Sequence, residues 1–243
     1  MSKFKRLINR GDRVVGIWQT IPSLQLCHTI IRSGVDFIVF DMEHSVFDFR
    51  MVLEHSLLCR ANNIGAVVRI SHFDKHLISL AYDVGVDVIQ IPNIKTLDEV
   101  QKIHRFTSYE IEKGFSPFTV SEDYIGVKNM EKPLISIHIE NRAVMDGLEK
   151  ILQLNEVDIF FFGLFDISRS FDLLGDVRNP KIINEVKNAM KKVIQKGKTV
   201  GFIINEIDHI SDFGGLGTYI TYASDVLLMK RNLGSDTAKL KAI

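Results

Sequence analysis

Asp41, Glu43 and His44 close the stretch VDFIVFDMEH, three ionisable side chains within four positions, directly behind a run of Phe, Ile and Val. A buried strand gains nothing from such an end, because each desolvated charge must be paired or shifted in pKa. Two more carboxylates, Glu140 in SIHIEN and Asp166 in GLFDIS, follow apolar runs in the same way. Acidic residues behind strands also serve as helix caps, but hard oxygens of this kind suit Mg²⁺ or Mn²⁺, and Co²⁺ accepts the same donors. Two protein ligands leave positions for water or for a substrate that chelates. A 2-oxo acid offers its carboxylate and ketone oxygens, and a cation there acts as a Lewis acid when a carbon–carbon bond breaks beside the carbonyl. Arg69, behind AVV, would add a fixed positive charge to the same enolate. His44 is suited to move a proton near neutral pH, and Asp41 would set its tautomer. Glu43 shares the Asp41 side of an extended strand and would order water on the metal.

Elements that could position these residues recur along the whole chain. Short β-branched or aromatic runs fall near Arg13 to Trp18, Asp36 to Phe40, Ala66 to Ile70, Val88 to Ile91, Leu134 to Ile139, Ile159 to Phe162, Val200 to Ile204 and Thr218 to Thr221. Between them, ISLAYDVG around Leu80, LDEVQKIHRF from Leu97 and RAVMDGLEKILQL from Arg142 repeat apolar residues at three and four, the helical spacing. Eight such units predict a (β/α)8 TIM barrel of class α/β, one domain over residues 1–243, with an open doubly wound sheet as the alternative. Working residues of a barrel lie at the C-terminal strand ends, where the charged residues above are found. Two intervals, Asn93 to Pro133 and Asp166 to Thr199, exceed a simple βα unit. The aperiodic EKGFSPFTVSEDYIG in the first reads as a loop expected near the active face.

Composition narrows the partners. Thirty basic and thirty acidic residues cancel, so no electrostatic footprint for nucleic acid or an anionic membrane is visible, and small molecules are expected. Cys27 and Cys59 lie in amphipathic stretches and read as reduced buried thiols, which with the lack of a signal-like or membrane-spanning apolar run predicts a cytoplasmic protein. A Schiff-base aldolase needs a desolvated lysine within a strand, and no strand interior has one; Lys95 lies past the fourth strand. The GGLG at Gly214 to Gly217 precedes the last strand and reads as a turn. His72 and His76 read as surface residues.

From Gly16 to about Leu233 the chain resembles the HpcH/HpaI aldolase family, metal-dependent class II pyruvate aldolases on a (β/α)8 barrel. The resemblance is carried by GIW at Gly16 to Trp18, FDMEH at Phe40 to His44, VVR at Val67 to Arg69, DVG at Asp83 to Gly85, IP at Ile91 and Pro92, IEN at Ile139 to Asn141 and GLFDIS at Gly163 to Ser168. It implies Glu140 and Asp166 as metal ligands, His44 with Asp41 as acid/base dyad, and Arg69 on the pyruvyl oxyanion. It further implies Trp18 in the pocket wall, backbone N–H groups around Phe165 and Asp166 for the pyruvate carboxylate, and Asp83 near a neighbouring subunit's site. A hexamer with an exchanged C-terminal helix, starting near Ser224, is implied too. The chain departs from the family pattern in having Gly163-Leu164 for Gly-Pro, His138 for glutamine, and Lys113 and Val120 where arginines flank the long loop. His138 shares a strand face with Glu140 and would tune metal water or contact substrate.

The expected activity is that of a lyase cleaving a 4-hydroxy-2-oxo acid to pyruvate and an aldehyde, and condensing them in reverse. The alternatives are an enolate-using synthase or transferase, which would want a basic subsite for phosphate or coenzyme A, and a binding protein that kept the barrel without turnover.

Overall fold

The structure, a computed structural model, describes residues 1–108, 111–122, 124, 132–213 and 215–243. Its eight apolar runs are strands β1 (Val14–Gln19), β2 (Phe37–Asp41), β3 (Gly65–Arg69), β4 (Val88–Ile91), β5 (Leu134–Ile139), β6 (Ile159–Phe162), β7 (Thr199–Ile204) and β8 (Tyr219–Ser224). All neighbours pair in parallel and β8 pairs with β1, so the sheet closes into a barrel in sequence order. The helices are α1 (Lys3–Asn9), α2 (Leu24–Arg32), α3 (Phe49–Ala61), α4 (Lys75–Asp83), α5 (Leu97–Thr107), α6 (Arg142–Asp146), α7 (Leu148–Ile151), α8 (Leu164–Ser170), α9 (Pro180–Gln195), α10 (His209–Asp212) and α11 (Asp225–Lys241). The β8–β1 pairing decides for closure over an open sheet, since near-continuous apolar strands covered on both faces suit either. The helical stretch from Arg142 divides into α6 and α7 at Gly147, which ends one and opens the other.

Side chains alternate between two cores. One fills the barrel with Val14, Val39, Val67, Val88, Ile159 and Tyr219, and Phe4 and Ile8 of α1 close its lower end. The other lies between strands and helices. Gly16 and Gly65 make room for the lower plug: a Cβ on Gly16 would sit 2.5 Å from the Phe37 ring, and one on Gly65 would sit 2.2 Å from that of Phe4. Cys27 and Cys59 are buried free thiols of the outer core.

Three aspartates stitch the lower rim. Asp36, Asp87 and Asp158 stand immediately before β2, β4 and β6, and each accepts a main-chain N–H from the preceding strand: Val15 at 2.9 Å, Ala66 at 3.0 Å and Ile135 at 2.8 Å. Each repeats the sequence Val-Asp followed by an apolar residue. Acidic residues at this end hold strands together, whereas those at the other end are free for chemistry.

The described residues of the loop expected near the active face lie elsewhere. Because α5 runs antiparallel to the strands, the chain leaves it at the lower rim. There Val120 packs toward Gly85, just past the end of α4, and Lys113 is buried on Asp83, the last residue of α4. Much of the loop, 109–110, 123 and 125–131, lies outside the described residues, as does Gly214 of the GGLG turn. Lys95, His72 and His76 are exposed. Among the described residues no helix is long and apolar enough to cross a membrane.

Candidate active site

At the upper rim, register decides which side chains meet. Asp41 and Arg69 are Cα partners on adjacent parallel strands, so both point inward at one level. Arg69 donates to both Asp41 oxygens, Nε to Oδ1 at 2.8 Å and Nη2 to Oδ2 at 2.7 Å, and its Nη1 lies 3.0 Å from Glu43 Oε2. Its guanidinium covers the Trp18 ring at 4.3 Å. Trp18 in turn is fixed by an indole N–H donated to Thr221 Oγ1 at 2.9 Å. Of the five guanidinium N–H donors, three have these partners and two remain to meet a substrate oxygen.

Asp41 is buried, which pushes its pKa up, but the hydrogen bonds and charge of Arg69 and the N–H groups of Glu43 and His44 outweigh burial and hold it below its ordinary value. The bidentate pair also settles its partnership. Asp41 Oδ1 receives the His44 main-chain N–H at 3.3 Å, while the His44 imidazole lies 3.9 Å from Glu43 Oε2. The carboxylate of Asp41 is thus held by its strand neighbour and not by the His44 imidazole, and the carboxylate that faces the imidazole, beyond hydrogen-bond distance, is that of Glu43. Burial raises the pKa of Glu43. The His44 side chain is 70% exposed, in the mouth of the site.

Glu140 follows β5 directly. Its neighbour Asn141 caps α6 by accepting the Val144 N–H at 2.9 Å, so Glu140 is not a cap. Asp166 lies in the first turn of α8, behind Gly163 at the cap position, and is not a cap either. Glu140 Oε1 accepts the Asn93 main-chain N–H, and Oε2 lies 3.5 Å from His138 Nδ1. Burial would raise the Glu140 pKa, but His138, the Asn93 N–H and Arg69 together hold it below its ordinary value. His138 is buried and stacks on Phe161, its register partner on β6, at 4.8 Å between ring centres. Its Nε2 has no hydrogen-bond partner among the described residues.

One cavity of about 270 Å³ joins these groups: Trp18, Arg69, His138 and Glu140 line one side, Gly163 to Asp166 the other, with Asp41 and His44 at the β2 end. Every residue expected at this chain's own site lines it except Glu43, which pairs with Arg69 beside it; Asp83 was expected near a neighbouring subunit's site. Asp83 stands at the lower rim on Lys113, Oδ1 to Nζ 2.6 Å, because a helix that follows a strand ends at the opposite face from the strand's own C-terminus. Lys113, which stands where the family pattern has an arginine, has a side chain only 1% exposed on that ion pair. Sequence reasoning missed Thr20, Phe161, Ile203 and Ser224 in the lining, and Asn93 beside it. Alternation along β6 and β7 could have indicated Phe161 and Ile203, whereas the others depend on how loops turn.

The cavity offers a divalent cation hard oxygen donors. Glu140 and Asp166 face the same cavity, and Asp166 has no ion-pair partner among the described residues. Gly163 supplies room: a Cβ there would lie 3.1 Å from Glu140 Cβ and 3.5 Å from its Oε2. Among the described residues no three His, Cys, Asp or Glu side chains form a metal cluster, so a cation would take two protein oxygens and complete its shell from water and substrate. These residues fit a hard, loosely held divalent ion.

The closed parallel barrel thus gathers a cationic clamp, an exposed imidazole and two carboxylates on one cavity. The chain belongs to the HpcH/HpaI aldolase/citrate lyase family, whose model matches residues 15–221. It is 23% identical over 251 residues to a hydroxypyruvate/pyruvate aldolase of Roseobacter denitrificans, covering 99% of this chain and 98% of that one. Its fold superposes on an HpcH/HpaI aldolase from Desulfitobacterium hafniense with a TM-score of 0.92 at 19% identity, covering 100% and 98% of the two chains. The citrate synthase SbnG has the same fold, with a TM-score of 0.87 at 23% identity and coverage of 99% and 98%.

Proposed function

We propose that the protein cleaves a 4-hydroxy-2-oxo acid to pyruvate and an aldehyde, and runs the condensation in reverse. The observation that carries this reading is the convergence of Arg69, His44, Glu140 and Asp166 on one cavity. In the cleavage direction His44, oriented by Glu43, takes the proton of the 4-hydroxyl. The C3–C4 bond then breaks, the aldehyde leaves, and the electron pair becomes the enolate of pyruvate. The two unpaired N–H groups of Arg69 point a fixed positive charge at the enolate oxygen, where preorganised donors act most strongly. His44 returns the proton to C3. Glu140 and Asp166 would hold Mg²⁺ or Mn²⁺, with Co²⁺ as a third candidate, and that ion would supply Lewis-acid stabilisation of the growing oxyanion. The first-turn N–H groups of Phe165 and Asp166 receive the pyruvate carboxylate; no side chain caps that helix, which leaves them free. Trp18 and Leu164 wall the cavity and exclude water.

A homo-oligomer with an exchanged C-terminal helix accords with α11. Over its whole length only Asp225 is buried, and Val226, Met229, Leu233 and Leu240 are exposed. Sedimentation that gives a monomer would remove this part of the reading.

The experiment is hydrogen–deuterium exchange at C3 of pyruvate in D2O with added Mn²⁺. Metal-dependent exchange is expected, and well-folded protein without it would sink the aldolase reading. The fold shared with a citrate synthase keeps a second use of the same enolate in view, namely attack on another acid. Exchange combined with failure to condense pyruvate with any aldehyde would favour that use.

A further inference from the structure

Asn93, two residues beyond β4, reaches two sides of the site at once. Its backbone is left-handed, φ 57°, a conformation that asparagine tolerates better than most residues. That turn sends its two donors in different directions. The main-chain N–H goes to Glu140 Oε1, and the side-chain amide goes to Glu43 Oε1 at 2.8 Å. Glu140 is the candidate metal ligand. Glu43 is the carboxylate that faces the His44 imidazole and takes Arg69 on its other oxygen. A single residue thus spans the metal side and the proton-transfer side of the cavity.

We infer that Asn93 is a positioning residue that locks Glu43 to Glu140, so that the imidazole and the metal ligand keep one fixed spacing. The inference rests on the proposed lyase reading. With Asn93 in place, Glu43 has a donor on each oxygen, the amide on Oε1 and Arg69 on Oε2, and its charge stays beside both the imidazole and the metal pair. Without the amide, Glu43 keeps only Arg69 and can rotate away from the β4 side.

The test is a double-mutant cycle of Asn93→Gly and Glu43→Gln, read two ways: pyruvate C3 exchange at saturating Mn²⁺, and Mn²⁺ affinity by calorimetry without pyruvate. Glycine keeps the left-handed backbone and the N–H to Glu140, so the fold is preserved and only the amide is lost. Asn93→Gly is expected to slow exchange about tenfold with KM for pyruvate within about twofold, and to weaken Mn²⁺ binding about threefold. In the Glu43→Gln background both effects should shrink to less than about twofold, because residues that act through one another are not additive. Additive losses, or an Asn93→Gly variant equal to wild type, would overturn the inference. If wild type binds Mn²⁺ without catalysing exchange, the lyase reading falls and the calorimetric cycle alone decides on Asn93. Wild-type protein that binds no Mn²⁺ overturns both.

Discussion

Arg69 and Asp41 form a two-pronged ion pair across neighbouring parallel strands, at 2.8 and 2.7 Å, with the carboxylate only 2% exposed. The pair fixes a planar cation at the floor of the cavity and denies Asp41 to His44. Substituting Arg69→Lys keeps the charge but cannot reproduce the fork. Exchange at C3 of pyruvate should fall about 100-fold, comparable to the loss of an oxyanion donor. Denaturant unfolding should show a loss of about 1–3 kcal/mol, since a buried carboxylate loses part of its hydrogen bonding.

Glu140→Ala and Asp166→Ala should each abolish the calorimetric signal of Mn²⁺ binding, because each would remove one of the two proposed protein ligands. His44→Gln should leave that signal intact while exchange drops by about 100-fold or more. Wild-type Mn²⁺ affinity in both carboxylate variants would refute the assignment of the ligands.

Gly163→Ala adds a methyl group 3.1 Å from Glu140 Cβ without any conflict in backbone angle, since Gly163 has φ −84°. Glu140 must shift. Mn²⁺ affinity should weaken about tenfold, as for other changes that misorient a ligand. Unfolding free energy should change by less than about 1 kcal/mol.

His55 carries a pH dependence unrelated to catalysis. It lies on α3 against the rings of Phe40 and Phe47, and burial holds its pKa below the ordinary 6.5. Below pH 6.5 the unfolded chain therefore binds a proton that the folded chain resists, so stability is full above that pH and declines as the pH falls beneath it. His55→Gln should cost about 1–2 kcal/mol at pH 7 through lost packing. Its stability should fall less steeply than wild type between pH 7 and 5 in urea titrations.

Most of the fold was legible in the sequence because strands of this barrel are apolar on both faces and helices carry a 3.6-residue period. Val88–Ile91 and Ile159–Phe162 have the boundaries expected from their apolar runs. The ends of those runs also marked Asp41, Arg69, Glu140 and Asp166, since nothing but pairing or chemistry keeps charge there. Partnership was less visible. Which carboxylate serves His44 depends on strand register, which placed Arg69 opposite Asp41, and on the turn after β2. Asn93 gave no signal, because its contribution joins a left-handed turn to an amide whose acceptor, Glu43, lies 50 positions away in the sequence. The long loop was expected near the active face, but its described residues follow α5 and lie at the lower rim, where helices antiparallel to the strands end.

Asp36, Asp87 and Asp158 bind β1 to β2, β3 to β4 and β5 to β6, and each of these bonds joins residues roughly twenty positions apart, at separations of 21, 21 and 23. The carboxylates thus tie sequence-local pairs, while the main-chain carbonyls of the same residues accept from Gly65, Leu134 and Thr199 of the following strands. A circularly permuted chain reopened between β2 and β3 would inherit every one of these carboxylate links within contiguous stretches, whereas reopening between β1 and β2 would turn one into a contact between distant ends.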